Sequence, residues 1–463
     1  MTHFVEALRG RKDWGALILL LALLLVRLVF AALVYKRPEL ALANDTDRYI
    51  PIANALLDKQ ALVPNPAHTG LLLNTVGYPL FLAAVFLIQG HVPGDIALAQ
   101  LVISGLLVLI MYLALMRPVG KTPALISAII LLLDPLTILW SMTVLTETLF
   151  AVVLGLSALA ITTWAATGRL VNLILAGLCC GLACLVKPYA TLIVGVWAIA
   201  LIFYPGAERE EGHVAALRGA RRAFVFVLPA LLLIVPWIVQ NGLIWNCPAL
   251  ASVDRVTMRD YVAAKVLSET DHVPLDQVQA QLRARDPGVC PRDSAYYLNV
   301  VLGHAATYAK LHLAGTMPVL IGTNFDRWLQ YFGIQYSLPD LWGPLVDGGF
   351  GKLLAVLVTE WLRFPQCLTL MFLLIGFQLV FYALALRGAA TFRIAKSPST
   401  RWNIIVLSLA ILVLVLTPGQ GGNERFRVPV QPLLAILVAY GLAWRGLPSL
   451  RKSTKPTLSA LDS

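Results

Sequence analysis

The chain has 463 residues, of which 59% are hydrophobic and only 13% charged, where soluble globular proteins carry about 25%. That deficit excludes a soluble globular protein, because even a large soluble domain needs a polar surface. The formal net charge of +11 does not point to nucleic acid, because the basic residues lie in short loops between long apolar runs, where membrane orientation accounts for them.

The apolar runs are about 18–25 residues long and continuous, which reads as transmembrane helices and excludes the alternating strands of a β-barrel. The expected fold class is an all-α polytopic membrane protein. The first run, 14–35, follows Arg9, Arg11 and Lys12. It is too long for a signal peptide and no small-residue cleavage site follows, so it is expected to be a retained helix. Further runs lie at 95–116, 122–140, 143–164, 170–186, 188–204, 223–240, 361–386, 403–417 and 428–444, giving about ten spans.

Between them, Arg117 and Lys121, then Arg169, then Arg209, Arg218, Arg221 and Arg222, then Arg387, Arg393, Lys396 and Arg401, and finally Arg445, Arg451, Lys452 and Lys455 all fall on one side. By the positive-inside rule that side is cytoplasmic, and so are both termini. The expected location is the plasma (inner) membrane, multi-pass.

Residues 77–90 are apolar but too short to cross, and a crossing there would invert every later loop. They are expected as a short helix at the outer face, with Pro79 in its first turn. Before them, 47–62 has apolar residues at helical spacing and reads as an interfacial amphipathic helix. The largest polar stretch, about 241–360, is too long to be structureless. Helices are expected at 254–268, 274–285 and 294–315, with Asp286-Pro287-Gly288 as a turn, forming a small outer cap. This divides the chain into an N-terminal transmembrane module, 1–240, with its first outer loop at 36–94, the cap region 241–360, and C-terminal helices with a cytoplasmic tail, 361–463. Cys247 and Cys290 both lie in the cap, where an oxidising compartment permits a disulfide between them. Cys179, Cys180, Cys184 and Cys367 read as buried apolar residues.

Charges at or inside a membrane are costly and mark functional sites. The topology gathers Asp45, Asp47, Arg48, Glu147, Lys187, Arg425 and Arg427 on the outer side. Each has a plainer reading. Glu147 complements a helix N-terminus, Asp45, Thr46 or Asp47 caps the interfacial helix, and Lys187, Arg425 and Arg427 snorkel to headgroups. Asp134-Pro135 reads as a helix end. His304, Tyr308 and His312 share a helical face without an acid at ligand spacing, so no metal site is expected. Gly349-Phe350-Gly351-Lys352 lacks P-loop spacing.

The order of motifs is similar to a known family. Asp45 precedes Tyr49 by four residues after the first helix. Gly77-Tyr78-Pro79-Leu80-Phe81-Leu82-Ala83 follows, then Thr146-Glu147-Thr148-Leu149-Phe150 opens a helix. Lys187-Pro188 turns between two helices, and Arg425-Phe426-Arg427-Val428-Pro429-Val430-Gln431-Pro432 leads into the last one. The chain resembles the GT-C superfamily of polytopic glycosyltransferases over nearly its full length. The branch it resembles contains the protein O-mannosyltransferases and the lipid A aminoarabinose transferase. That resemblance implies a transferase taking a sugar from a polyprenyl-phosphate carrier and passing it to a glycan, lipid or protein acceptor on the outer face. It implies Asp45 as general base, with Asp47 as the alternative, and Glu147 as an acid facing the same cavity. Arg48, Lys187, Arg425 and Arg427 are the candidate carrier-phosphate contacts, with no cofactor required and dependence on a divalent metal left open. The chain departs from the family in having Gln240-Asn241 where many relatives have an arginine–asparagine pair. Its acids are spaced Asp45-Thr46-Asp47 rather than adjacent, which argues against a protein O-mannosyltransferase. The alternative class is a transporter or flippase of a lipid-linked or anionic substrate, which places charges near the membrane midplane on broken helices.

Overall fold

The computed structural model describes residues 14–43, 45–58, 70–205, 213–288, 290–336 and 342–444. Asn44, His68, Arg9, Arg11, Lys12, Arg209, Arg445, Arg451, Lys452 and Lys455 lie outside the described residues. The fold is all-helical among those described. Helix α1 spans Trp14–Lys36. It is followed by α2 (Thr46–Leu57), α3 (Gly77–Ile88), α4 (Pro93–Leu115), α5 (Lys121–Leu132), α6 (Pro135–Ser141), α7 (Glu147–Thr167), α8 (Leu170–Val186), α9 (Ala190–Ile202) and α10 (His213–Trp245).

Seven described helices are long and apolar enough to cross a membrane, or eight if α5 and α6 count as one bent span. About ten were expected. The difference lies in α8 and α9, which at 17 and 13 residues are shorter than a standard span. At 1.5 Å per residue α9 covers only about 20 Å of a hydrocarbon core about 30 Å thick.

The expected single span at 122–140 is broken. Asp134 stops α5, and its carboxylate accepts a hydrogen bond from the Thr137 backbone N–H at 2.9 Å, capping α6, whose first residue is Pro135. The two pieces meet at 49°. Arg27, fully buried in α1, stitches the break. It donates to the Leu132 carbonyl at 3.0 Å and to Ser104 Oγ at 3.0 Å, with Ser141 Oγ at 3.3 Å. These bonds use both terminal nitrogens of a guanidinium held inside an apolar bundle, where unpaired donors are costly.

Helix α3 is a 12-residue apolar helix packed on α2, as the short run suggested. After α10 comes the cap. Residues 253–271 form a helix (α11) with a π turn at Met258–Ala263, followed by α12 (Leu275–Arg285) and α13 (Ser294–Gly303). These enclose a small core of their own around Ala264, Val266, Val278, Leu282 and Tyr297. A Cys247–Cys290 disulfide ties the cap to the end of α10. The helix expected at 294–315 breaks at His304 (φ −121°, ψ 41°) and continues as α14 (Ala305–Ile321). Then follow α15 (Phe325–Tyr331), α16 (Trp342–Arg363, kinked at Gly349), α17 (Pro365–Ala390), α18 (Pro398–Leu416), a 3₁₀ turn at Glu424–Val430 and α19 (Gln431–Ala443).

Helix α19 is the hub. Every residue from Gln431 to Ala439 is buried, whereas α1 exposes Ile18, Leu21, Leu25, Val26 and Val29, as a lipid-facing helix does. Small residues let the hub pack closely. A Cβ on Gly388 of α17 would collide with the Leu437 carbonyl of α19, and one on Gly177 of α8 with the Phe226 carbonyl of α10.

Candidate active site

Four stretches far apart in sequence meet at one end of the bundle. The first is the turn into α2. Asp45 sits at its N-cap position, but its carboxylate makes no capping bond. Thr46 is spent otherwise: its hydroxyl accepts from the Ala43 N–H at 2.9 Å and donates to the Val144 carbonyl at 3.0 Å. The Val144 N–H in turn donates to the Ala41 carbonyl at 2.9 Å. The loop bearing Asp45 is therefore clasped at the backbone to the segment that leads into Glu147.

Glu147 opens α7 and is fully buried. Its Oε1 is 2.9 Å from Lys187 Nζ. Lys187 ends α8 in an extended conformation (φ −141°, ψ 119°), which suits a residue preceding a proline. Burial lowers the Lys187 pKa, while Glu147 draws it back up and Arg425 lowers it further. The ammonium lies 4.9 Å from the centre of the Phe426 ring, a cation–π distance.

Arg425 links the acids. Its Nη1 donates to Asp45 Oδ2 at 2.9 Å and its Nε is 3.6 Å from Glu147 Oε1. The Asn423 side chain accepts from the Arg425 backbone N–H at 3.0 Å and so starts the 3₁₀ turn that aims it. Arg48 Nη1 lies 3.4 Å from Asp45 Oδ1 at the exposed edge. Tyr49 packs edge-on against Tyr78 with ring centres 5.1 Å apart. Burial raises the Tyr49 pKa, and the Glu147 and Asp45 carboxylates add to that, so the phenol stays neutral. The result is a chain of alternating charges, Arg48–Asp45–Arg425–Glu147–Lys187, partly shielded from water.

Two expected members stand apart. Arg427 is fully buried and donates to the carbonyls of Val319, Leu320 and Gly322 at 2.8–2.9 Å and to Gln378 Oε1 at 3.0 Å. Its donors close the C-terminal end of α14, so it does not reach the ion-pair chain. Asp47 is exposed on the first turn of α2, while the chain runs through Asp45. Among the described residues no group of three or more His, Cys, Asp or Glu side chains has metal-holding geometry.

Sequence reasoning missed three polar residues that shape this end. Gln100 in α4 donates to the Ser141 and Thr143 carbonyls at 3.0 and 2.7 Å and accepts from the Tyr78 hydroxyl at 3.1 Å, holding the segment before Glu147. Arg27 supports the α5–α6 break. Both are lone polar residues inside apolar runs, and that was the available signal. Arg327 on α15, which donates to the Leu40 carbonyl at 2.6 Å, lies in a polar stretch and gave no such signal.

Comparison with known proteins gives two findings. Residues 74–238 match the model of the dolichyl-phosphate-mannose-protein mannosyltransferase family. That segment contains Glu147 and Lys187 but neither Asp45 nor Arg425. A solved structure of the Archaeoglobus fulgidus oligosaccharyltransferase, tethered with an acceptor peptide containing the NVT sequon via a disulfide bond, superposes with a TM-score of 0.46 and 14% identity, covering 93% of this chain and 49% of that one. The chain thus spans about half the length of that enzyme, and a likeness of this extent carries no argument about chemistry. Among curated proteins, none matches the chain.

Proposed function

With residues 74–238 carrying a GT-C superfamily family match, we propose that the chain is a membrane glycosyltransferase that moves a sugar from a polyprenyl-phosphate carrier to an acceptor on the extracytoplasmic face. The observation that carries the reading is the position of Arg425, within reach of both Asp45 and Glu147 beside Lys187. A carboxylate base and two phosphate-neutralising cations are what a single displacement at an anomeric carbon requires.

In this reading Asp45 takes the proton of an acceptor hydroxyl or amine as that atom bonds to the anomeric carbon. The bond from the anomeric carbon to the phosphate oxygen breaks, and the electron pair leaves with the phosphate. One displacement inverts the anomeric centre. Arg425 and Lys187 meet the charge growing on the phosphate, with Arg48 at the entrance. Without donor, Arg425 is paired with Asp45. A donor phosphate competes for Arg425 and leaves the Asp45 carboxylate free to accept a proton. Glu147 holds Lys187 and Arg425 in place and faces the sugar or acceptor. The cations supply the positive charge, so no metal is required. Both termini are cytoplasmic and the membrane is the inner, plasma membrane.

The test is sugar transfer from a polyprenyl-phosphate donor by reconstituted protein, with and without a chelator. Asp45→Asn is expected to lower the rate about 10²–10⁴-fold, while Asp47→Asn and chelation leave it close to wild type. Undiminished transfer by folded Asp45→Asn would remove the base from this residue, and loss only in Asp47→Asn would move it there.

A transporter or flippase is the second reading, and the broken span at Asp134 favours it. Against it, the groups at that break are spent on the backbone: Asp134 accepts from the Thr137 N–H and caps α6, and Arg27 donates to the Leu132 carbonyl at the end of α5. Translocation of a lipid-linked substrate by the Asp45→Asn protein at the wild-type rate, with no transferase activity in the wild type, is the outcome that selects it.

A further inference from the structure

Arg327 lies outside the ion-pair chain and has no part in the chemistry above. It sits on α15, beyond the cap. Besides its hydrogen bond to the Leu40 carbonyl, its guanidinium carbon is 5.2 Å from the centre of the Trp140 ring. Its Nε is buried and has no hydrogen-bond partner among the described residues. Of the several other buried donors in that condition, Trp140 Nε1 and Arg425 Nε belong to this end of the bundle, the latter 3.6 Å from Glu147 Oε1. Burial lowers the Arg327 pKa and Arg425 lowers it further, while the neighbouring Tyr331 phenol and Glu424 oppose. Two guanidiniums therefore sense each other in a partly dry site. Buried donors without acceptors and like charges in range are both unfavourable, and an anion between them relieves both.

We propose that Arg327 is a further substrate contact, which grips the phosphate of the lipid-linked donor together with Arg425 on the Trp140 side of the site. The inference rests on the donor reading given under Proposed function. A guanidinium suits the task better than an ammonium, because its planar fork can hold one acceptor while offering another N–H to a phosphate oxygen. Here Nη2 holds Leu40, five residues before Asp45, and Nε remains for the ligand. The phosphate grip and the loop that carries the base thus meet in one side chain.

The competing role is a purely structural clamp on the first outer loop. A second arginine makes a parallel clamp and serves as the control: exposed Arg37 donates to the Gln330 carbonyl of α15 at 3.0 Å. The experiment measures binding of two probes, undecaprenyl phosphate and undecaprenol, to the full chain in nanodiscs. Arg327→Gln is expected to weaken undecaprenyl phosphate at least tenfold and leave undecaprenol unchanged, whereas Arg37→Gln changes neither. Arg327→Lys keeps the charge without the fork and is expected to weaken the phosphate probe a few-fold. It also serves as the test variant if the glutamine variant does not fold. Wild-type affinity for undecaprenyl phosphate in folded Arg327→Gln, or in Arg327→Lys where that variant stands in, overturns the proposal. An equal loss in Arg37→Gln overturns it as well, in favour of the clamp. If the wild type binds undecaprenyl phosphate no better than undecaprenol, the donor reading itself fails, and this inference falls with it.

Discussion

At the scale of single residues, the tightest constraint is the Glu147–Lys187 pair. The side chains are 2% and 11% exposed, so neither charge can turn to water if its partner is removed. Breaking one side of such a pair costs about 3–5 kcal/mol, whereas replacing both sides by well-packed neutral groups is often close to neutral. Lys187→Met is therefore expected to destabilise the protein strongly, and Lys187→Met with Glu147→Gln to recover most of the loss. Thermal unfolding in detergent, read as a double-mutant cycle, checks this. Additive losses in the double variant would show that the pair is not a coupled unit. The candidates Asp45, Arg48, Glu147, Lys187 and Arg425 were legible in the sequence because a charge at a membrane edge stands out against apolar neighbours. Arg427 looked the same but serves carbonyls at the end of α14. A one-dimensional pattern shows that a guanidinium is at the boundary, and only the tertiary fold shows which acceptors surround it. Arg327 was hidden for the opposite reason: in a polar stretch, one more charge carries no contrast.

At the scale of elements, run length made most spans legible, and composition made the cap legible. What failed was continuity. The 122–140 run is apolar throughout except Asp134, yet that residue with Pro135 ends one helix and caps the next. The cap has its own titrating latch. Asp286 accepts from the backbone N–H groups of Arg292 and Asp293 at 2.9 Å and from the Tyr297 hydroxyl at 3.1 Å. Burial raises its pKa, but these hydrogen bonds more than offset that and hold the carboxyl below its usual value. A carboxyl with a depressed folded pKa contributes stability above its unfolded value, about 3.9, and loses it as pH falls through the folded one. The cap is thus expected to loosen below about pH 4. Hydrogen exchange over residues 253–303 should show an acid-dependent opening in the wild type that is much flatter in Asp286→Asn. The same acid slope in both proteins would assign the effect elsewhere.

At the scale of the whole molecule, the ion-pair chain is at one end of α7 and the basic turn at Arg169 follows the other end. The 21 residues of α7 separate them by about 30 Å, one hydrocarbon thickness. The proposed orientation puts the acids outside. Cysteine introduced at exposed Asp58 is expected to react with an impermeant thiol reagent from outside in intact cells, and one at exposed Arg169 only after permeabilisation. The reverse pattern would invert the topology and with it the side of the chemistry.

The burial of α19 bears on how such a protein is made. The most enclosed of the seven long apolar spans, Glu424–Ala443, is also the last of them in chain order. During synthesis, the earlier membrane spans enter the bilayer before the piece they pack around exists, so their inward faces have lipid or one another for company until it arrives. Arg425 travels with that late piece, at its start. Until it emerges, Asp45 has only Arg48 of its two guanidinium partners, so assembly of the bundle and completion of the charge chain become a single closing event at the end of translation.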